Sequence, residues 1–313
     1  MSLDAPGSPE TATAQRNGRK KSITSRQTTA AYILIAPFFV VFVAMLVLPL
    51  AYSGYLSFFS RQLIGGEAFV GFANYVRAFS DARFLEGIGR VAIFLVIQVP
   101  IMIALSLFLA LALDSGRARG SRFARLAIFI PYAVPGVVAT LMWGYLYGND
   151  FGPISQLLRG MGLSAPDLLA PDNVLGSMMN IVTWEFVGYN MIIMYAALRS
   201  IPEELYEAAE IDGAGQLRTA FSIKIPAIRP AILLTVIFSI IGTFQLFNEP
   251  QLLSRIAPNA ISDSFTPNLY AYSLAFVNRE INYAATIAFT LGFVIMIISL
   301  IVQGLQQRKG AKA

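Results

Sequence analysis

Glu185 carries the strongest chemical signal in the chain: it is a carboxylate near the middle of the apolar run Leu175–Leu198. An ionisable group at that depth costs at least ~2.5 kcal/mol on insertion scales, so it must face a bundle interior or a watery cavity. Gly188 and Tyr189 follow at i+3 and i+4 on the same helical face, with Trp184 and Asn190 adjoining. In the run Ala231–Leu253, Gln245, Asn248 and Glu249 share a face by the same spacing, beside Phe244 and Phe247. Amides and carboxylates exchange hydrogen bonds with hydroxyl groups, and aromatic rings cover the C–H faces of pyranoses, so these residues suit a polyhydroxylated ligand. Other readings stay open beside that one. Asn and Gln also join membrane helices through hydrogen bonds, and aromatics near helix ends anchor at the interface. Glu249, just before Pro250, fits a solvated rim, and Glu185 could equally relay a proton.

A second stretch has chemistry of another kind. Ser200–Pro230 is the longest polar passage between two runs that could each span a bilayer. Ser200 with Glu203 has the spacing of a capping box, and Pro202 suits a first helical turn. The pattern predicts a helix to Asp212, ended by Gly213 in the left-handed conformation. A second short helix then runs from Gln216 and is stopped by Pro226 and Pro230. Glu203, Glu204, Glu207, Glu210 and Asp212 all precede the first basic residue, Arg218. A helix meant for an anionic leaflet would carry Lys and Arg instead, so this one suits a basic protein surface. Ala208 and Ala209 leave one side without bulk for a partner's backbone. An ordinary solvated loop helix is the alternative.

The elements that must position these groups are membrane spans. The 313 residues are 56% hydrophobic and 13% charged, with mean hydropathy +0.62. Water-soluble domains carry about 25% charged residues. With neither Cys nor His, thiol chemistry, Cys/His zinc sites and Ser-His catalysis are excluded. No G-x-x-x-x-G-K-[ST] occurs, so the chain has no nucleotide-binding loop of that type. The basic excess of +5 sits in short segments beside apolar runs and does not call for nucleic acid.

Six runs can cross about 30 Å of hydrocarbon: Tyr32–Tyr55, Val91–Leu113, Leu126–Tyr147, Leu175–Leu198, Ala231–Leu253 and Tyr283–Gln303. Residues 1–29 read as a disordered tail, 30–305 as the membrane domain and 306–313 as a basic tail. The third run holds Pro131, Pro135 and Gly136, which bend a membrane helix and free its carbonyls. Sixteen of the 23 Lys and Arg residues fall in the two tails, the Asp114–Arg125 loop and the Ser200–Pro230 loop with its flanks. That bias puts both termini and both loops in the cytoplasm. The fold class is therefore an all-α membrane protein of six transmembrane helices, with a cytoplasmic loop helix between helices four and five.

The loop also carries a motif. Glu207-Ala208-Ala209, three residues, Gly213, nine residues, then Ile223-Lys224-Ile225-Pro226 resembles the EAA motif of permeases in ATP-binding-cassette importers, with Ile225 where Leu is usual. Phe69-Val70-Gly71-Phe72-Ala73-Asn74-Tyr75, Ser121-Arg122-Phe123-Ala124-Arg125 and Ile201–Ala209 resemble the maltose-type carbohydrate branch, and the likeness covers roughly residues 30 to 305. The resemblance implies a coupling helix seated in a cleft of a cytoplasmic ATPase, through Glu203, Leu205, Glu207, Ala208, Ala209, Asp212, Gly213 and Ala214. It implies a substrate path through Glu185, Tyr189, Asn190, Gln245 and Asn248. A second homologous permease, two ATPase subunits and an extracytoplasmic sugar-binding protein would be partners, in a bacterial cytoplasmic membrane. ATP and Mg would bind in the partner ATPase; no cofactor, metal or catalytic residue is expected on this chain. A proton-coupled secondary transporter using Glu185 leaves the EAA spacing unexplained. A scaffold without a path predicts an apolar bundle interior, which Glu185 opposes.

Overall fold

The computed structural model describes residues 25–62, 65–115 and 120–310, and among them all regular structure except one small hairpin is helical. The chain divides into two units, Met1–Tyr52 and Ser53–Ala313. In the first, α1 (Ser25–Phe42) passes through a π turn at Val43–Val47 into α2 (Leu48–Ser57), which continues into the second unit. The expected N-terminal tail lies outside the described residues as far as residue 24, and among the described residues the helix begins at Ser25.

The second unit opens with a hairpin that the all-α reading did not contain, β1 (Phe59–Gln62) antiparallel to β2 (Gly66–Phe69), with Phe59 opposite Phe69. α3 (Ala73–Ser80) begins beside it. The Asn74 amide donates to the carbonyls of Ser57 and Phe59 at 3.0 and 2.8 Å, and the Tyr75 hydroxyl shares a 2.7 Å hydrogen bond with Ser57 Oγ. Carbonyls at a helix end need outside partners, and Asn74 supplies one to Ser57, the last residue of α2, while Tyr75 holds the Ser57 side chain.

α4 (Ala82–Asp114) starts nine residues before the expected Val91. Asp81 caps it, accepting from the Arg83 N–H, while Asp81 Oδ2 accepts from the hydroxyls of Tyr270 and Tyr283 at 2.7 Å each. Burial pushes the Asp81 carboxyl up, but the hydrogen bonds from Tyr270, Tyr283 and the backbone outweigh it and hold the group below the usual range. The charged first turns, with Arg83, Glu86 and Arg90, hid this helix extension from a reading of apolar runs.

The third expected span is not one straight helix. α5 (Ser121–Ala133) and α6 (Gly136–Tyr147) meet at 94°. Pro135 has no N–H to give and biases the preceding residue to extended backbone, where Val134 sits at φ −76°, ψ 129°. α7 (Pro153–Gly160) follows, then α8 (Val174–Leu198). The loop after α8 holds α9 (Glu204–Ile211), α10 (Gln216–Thr219), a π turn at Ala220–Lys224 and α11 (Ile225–Ala227). α12 (Arg229–Phe244) and α13 (Asn248–Leu253) form the fifth span, interrupted at residues 245–247. Irregular backbone at membrane depth needs internal partners. Asn268 donates to the Phe244 carbonyl at 3.1 Å, and Thr266 to that of Leu246 at 3.0 Å. α14 (Pro267–Tyr272) and α15 (Ile281–Gly310) close the chain. Among the described residues, five helices are long and apolar enough to cross a membrane, six if the bent pair counts as one span.

Within the second unit α4 packs along α8, flanked by α5 and α12. One core joins Phe94, Tyr147, Val174, Met178, Ile181 and Leu246. Another, at the Asp114 end of α4, joins Ala110, Leu113, Met191, Met194, Leu198 and Ile228. Between them the Ile128 carbonyl of α5 occupies the place that a Cβ on Gly188 would take. Small residues let membrane helices approach this closely.

Candidate functional site

A cavity of about 470 Å³ lies where α4, the end of α5, α8 and the α12–α13 break converge. Phe94, Gln98 and Met102 line it from α4, Phe186, Tyr189 and Asn190 from α8, and Ser239, Thr243 and residues 245–249 from the fifth span. Tyr132, at the end of α5, stacks on Tyr189 with ring centres 4.7 Å apart and 20° between planes, and meets Phe186 edge-on at 5.8 Å. The bend at Val134–Pro135 ends α5 there, so the proline that breaks the span also delivers one wall. The interruption after Phe244 puts Gln245, Asn248 and Glu249 on a third side.

Of the residues expected on the path, Tyr189, Asn190, Gln245 and Asn248 are brought together around this cavity, and Glu185 is not on its lining. Glu185 is 5% exposed, and its Oε1 lies 3.4 Å from where a Cβ on Gly136 would sit, at the start of α6. Glu249, read as a rim residue, is 9% exposed and lines the cavity, because α13 turns inward after the break.

Gln98, Tyr132 and Phe186 are among the lining residues that escaped the reading of spacing. Gln98 is a single amide inside the long apolar stretch of α4; its Nε2 donates to Thr183 Oγ1 at 3.2 Å, and its buried Oε1 has no partner among the described residues. A lone polar residue at mid-span was the signal available for it. Tyr132 sat unnoticed beside Pro131, and Phe186 beside Glu185. Together these groups offer amide and carboxylate hydrogen-bonding between aromatic faces, in a space that suits a few ring-sized units.

The α9 loop presents a different surface. Gly213 has φ +70°, as its spacing predicts, and the Ala214 N–H donates to Ala209 while Gly213 N–H donates to Glu210. Those two bonds make the Schellman end of α9. The expected capping box is absent. Ser200 Oγ donates to the Ala197 carbonyl at 2.7 Å, and Glu203 stands at the N-cap without a side-chain bond. The serine thus serves the earlier helix, whose last carbonyls have no intrahelical partners. Pro226 and Pro230 sit in the first turns of α11 and α12 and begin helices rather than stop one. The two-alanine face is divided: Ala208 is exposed and Ala209 buried. Glu203, Leu205, Glu207, Asp212 and Gly213 are exposed, and Ala214 is half-buried. Apolar side chains that the charge pattern overshadowed also stand out, with Ile211 86%, Leu217 77% and Phe221 69% exposed.

Known proteins share this architecture. The family described as "Binding-protein-dependent transport system inner membrane component" matches residues 31–309. The diacetylchitobiose uptake system permease protein NgcF of Streptomyces coelicolor is 28% identical, over 94% of this chain and 87% of its own. The lactose transport system permease protein LacF of Rhizobium radiobacter is 31% identical, over 89% and 96%. In fold, the chain is similar to a crystal structure of a bacterial ABC transporter involved in alginate import, with TM-score 0.80 at 19% identity over 90% of this chain and 96% of that one.

Proposed function

This chain belongs to the family of binding-protein-dependent transport system inner membrane components, and from that premise we propose that it is the permease subunit of an ATP-driven importer for a di- or oligosaccharide. The observation that carries the proposal is the cavity, where Asn190, Gln245, Asn248 and Glu249 meet the stacked Tyr132 and Tyr189. The names of relatives that take up diacetylchitobiose and lactose support the same class of substrate. The partners in this reading are a second, similar permease, two ATPase subunits and a binding protein that delivers the sugar. The exposed, acidic α9 with Leu205 and Ile211 is the surface for the ATPase. ATP binding closes the ATPase pair, and the α9 loop carries that motion into the spans, changing the side the cavity faces. Hydrolysis stays in the partner. The test is uptake of a panel of labelled oligosaccharides by vesicles holding the reconstituted complex; uptake without ATP, driven by a pH gradient, would overturn the proposal.

The bias of basic residues supports cytoplasmic termini. A reporter fused after Arg308 or in the Asp114–Arg125 loop is expected to read cytoplasm, and one near Pro166 or Asp263 the outside. A cytoplasmic signal at Pro166 would mean that the bent pair α5–α6 re-enters instead of crossing.

Glu185 enters the proposal as the prop of the bend that carries Tyr132. Glu185→Gln keeps the shape and part of the hydrogen bonding but cannot carry a proton. We expect ATP-dependent uptake to fall no more than about threefold in Gln and about tenfold in Ala, where a group worth about 1 kcal/mol or more is lost. A protonophore at constant ATP should change nothing. Equal loss in both variants, with protonophore sensitivity of the wild type, would make Glu185 a proton relay.

A further inference from the structure

Three ion pairs are present among the described residues; two lie towards the surface and one is largely enclosed. The enclosed pair joins Lys224 to Asp114, whose side chains are 16% and 4% exposed. Asp114 is the last residue of α4, and Lys224 closes the π turn of the α9 loop. The Lys224 ammonium also lies 5.0 Å from the ring centre of Tyr206, which belongs to α9. The Tyr206 hydroxyl is buried without a partner among the described residues. Burial pushes its pKa up, and the Asp114 charge pushes it further. Asp114, Lys224 and Tyr206 thus bind the loop helix, the π turn and the end of α4 into one charged knot.

The loop's other attachment nearby is apolar: Ile201 and Ile228 pack with Ala110, Leu113 and Leu198. Apolar faces tolerate small shifts, because dispersion and burial change little as side chains slide. A buried ion pair does not, since separating it strands a charge in a poor solvent. The knot is therefore the stiff connection between loop and bundle. α4 runs from it to the cavity, which it lines with Met102, Gln98 and Phe94.

We propose that Asp114 and Lys224 are positioning residues that transmit displacement of the α9 loop into α4, and through α4 into the cavity wall. The inference rests on the reading of the α9 loop as the ATPase-docking surface. A chain without native cysteine allows a test that needs no knowledge of the sugar. Ser239, on the cavity wall, is changed to Cys, and the labelling rate by N-ethylmaleimide is measured on the assembled complex with and without ATP and vanadate. In the Ser239→Cys background the nucleotide is expected to change the rate about tenfold, within the usual range of coupling between sites. Adding Lys224→Met should abolish that change while the ATPase subunits still co-purify, and the exchange Asp114→Lys with Lys224→Asp should restore it. A full nucleotide response in Lys224→Met would overturn the proposal. So would a loss that the exchange does not restore, because the pair would then be a folding contact. Absence of the nucleotide response in the Ser239→Cys background itself, with the ATPase bound, would instead sink the transport path of the proposed function.

Discussion

Gly188→Ala is expected to cost more than any other single-methyl change discussed for this chain. A Cβ at Gly188 would sit on the Ile128 carbonyl oxygen, with the carbonyl carbon at 2.8 Å and Phe129 Cα at 3.0 Å. All three are backbone atoms of α5, so no side chain can rotate away and the helices must separate. Overpacking costs about 1–3 kcal/mol even where side chains can adjust, and the upper end applies here. For a chain of this size that corresponds to a fall of about 4–5 °C in the Tm of the detergent-solubilised protein. Tyr132 lies one turn beyond Ile128, so the stack on Tyr189 should open as well. Gly176→Ala on the same helix is the control. Nothing lies within 4 Å of its added Cβ, and its Tm should stay within about 2 °C of wild type, or rise, since Ala restricts the unfolded chain. Equal melting of the two variants would show that α5 and α8 do not meet at Gly188.

Gly213→Val should abolish function by a different route, leaving the fold in place. Nothing lies within 4 Å of a Cβ at Gly213, so space is not the obstacle. The obstacle is φ +70°, which a β-branched residue adopts only at a cost of about 1–3 kcal/mol. Relieving that strain undoes the bonds from the Ala214 and Gly213 N–H groups to Ala209 and Glu210, and α9 is then aimed elsewhere. Membrane insertion should be normal because the change lies outside every span. Uptake and stimulated ATP hydrolysis should fall together, by about tenfold or more, the size of a typical coupling between sites. Gly213→Asn should lie in between, since Asn tolerates the left-handed region. Normal uptake by fully inserted Gly213→Val would count heavily against the docking role of α9.

The two glycines also divide what could be read early from what could not. Gly213 was legible because the signal is local. A helix-compatible stretch followed by Gly and an apolar residue has few ways to end, and the Schellman bonds connect residues at most five apart. Gly188 was named only as a neighbour of Glu185 on one helical face. Its purpose lies in Ile128, on another helix, and no spacing within α8 points there. Ser200 shows the opposite failure: the spacing to Glu203 suits a capping box, but the hydroxyl donates to the Ala197 carbonyl instead.

Five of the expected spans followed from the sequence alone, because an apolar run long enough to cross hydrocarbon has few stable options besides a helix. The loop helix and the amides on the fourth and fifth spans were equally visible, since each depends on contiguous residues. What only the tertiary structure decided is how those elements break and meet. The 94° turn at Val134–Pro135 places Tyr132 on Tyr189, and it places the start of α6 against Glu185. Gln98 and Glu249 reach one cavity from spans far apart in the chain, and Asp114 finds Lys224 across more than a hundred residues. Periodicity fixes which face of a helix is polar. Which face meets which depends on the packing of all the helices together.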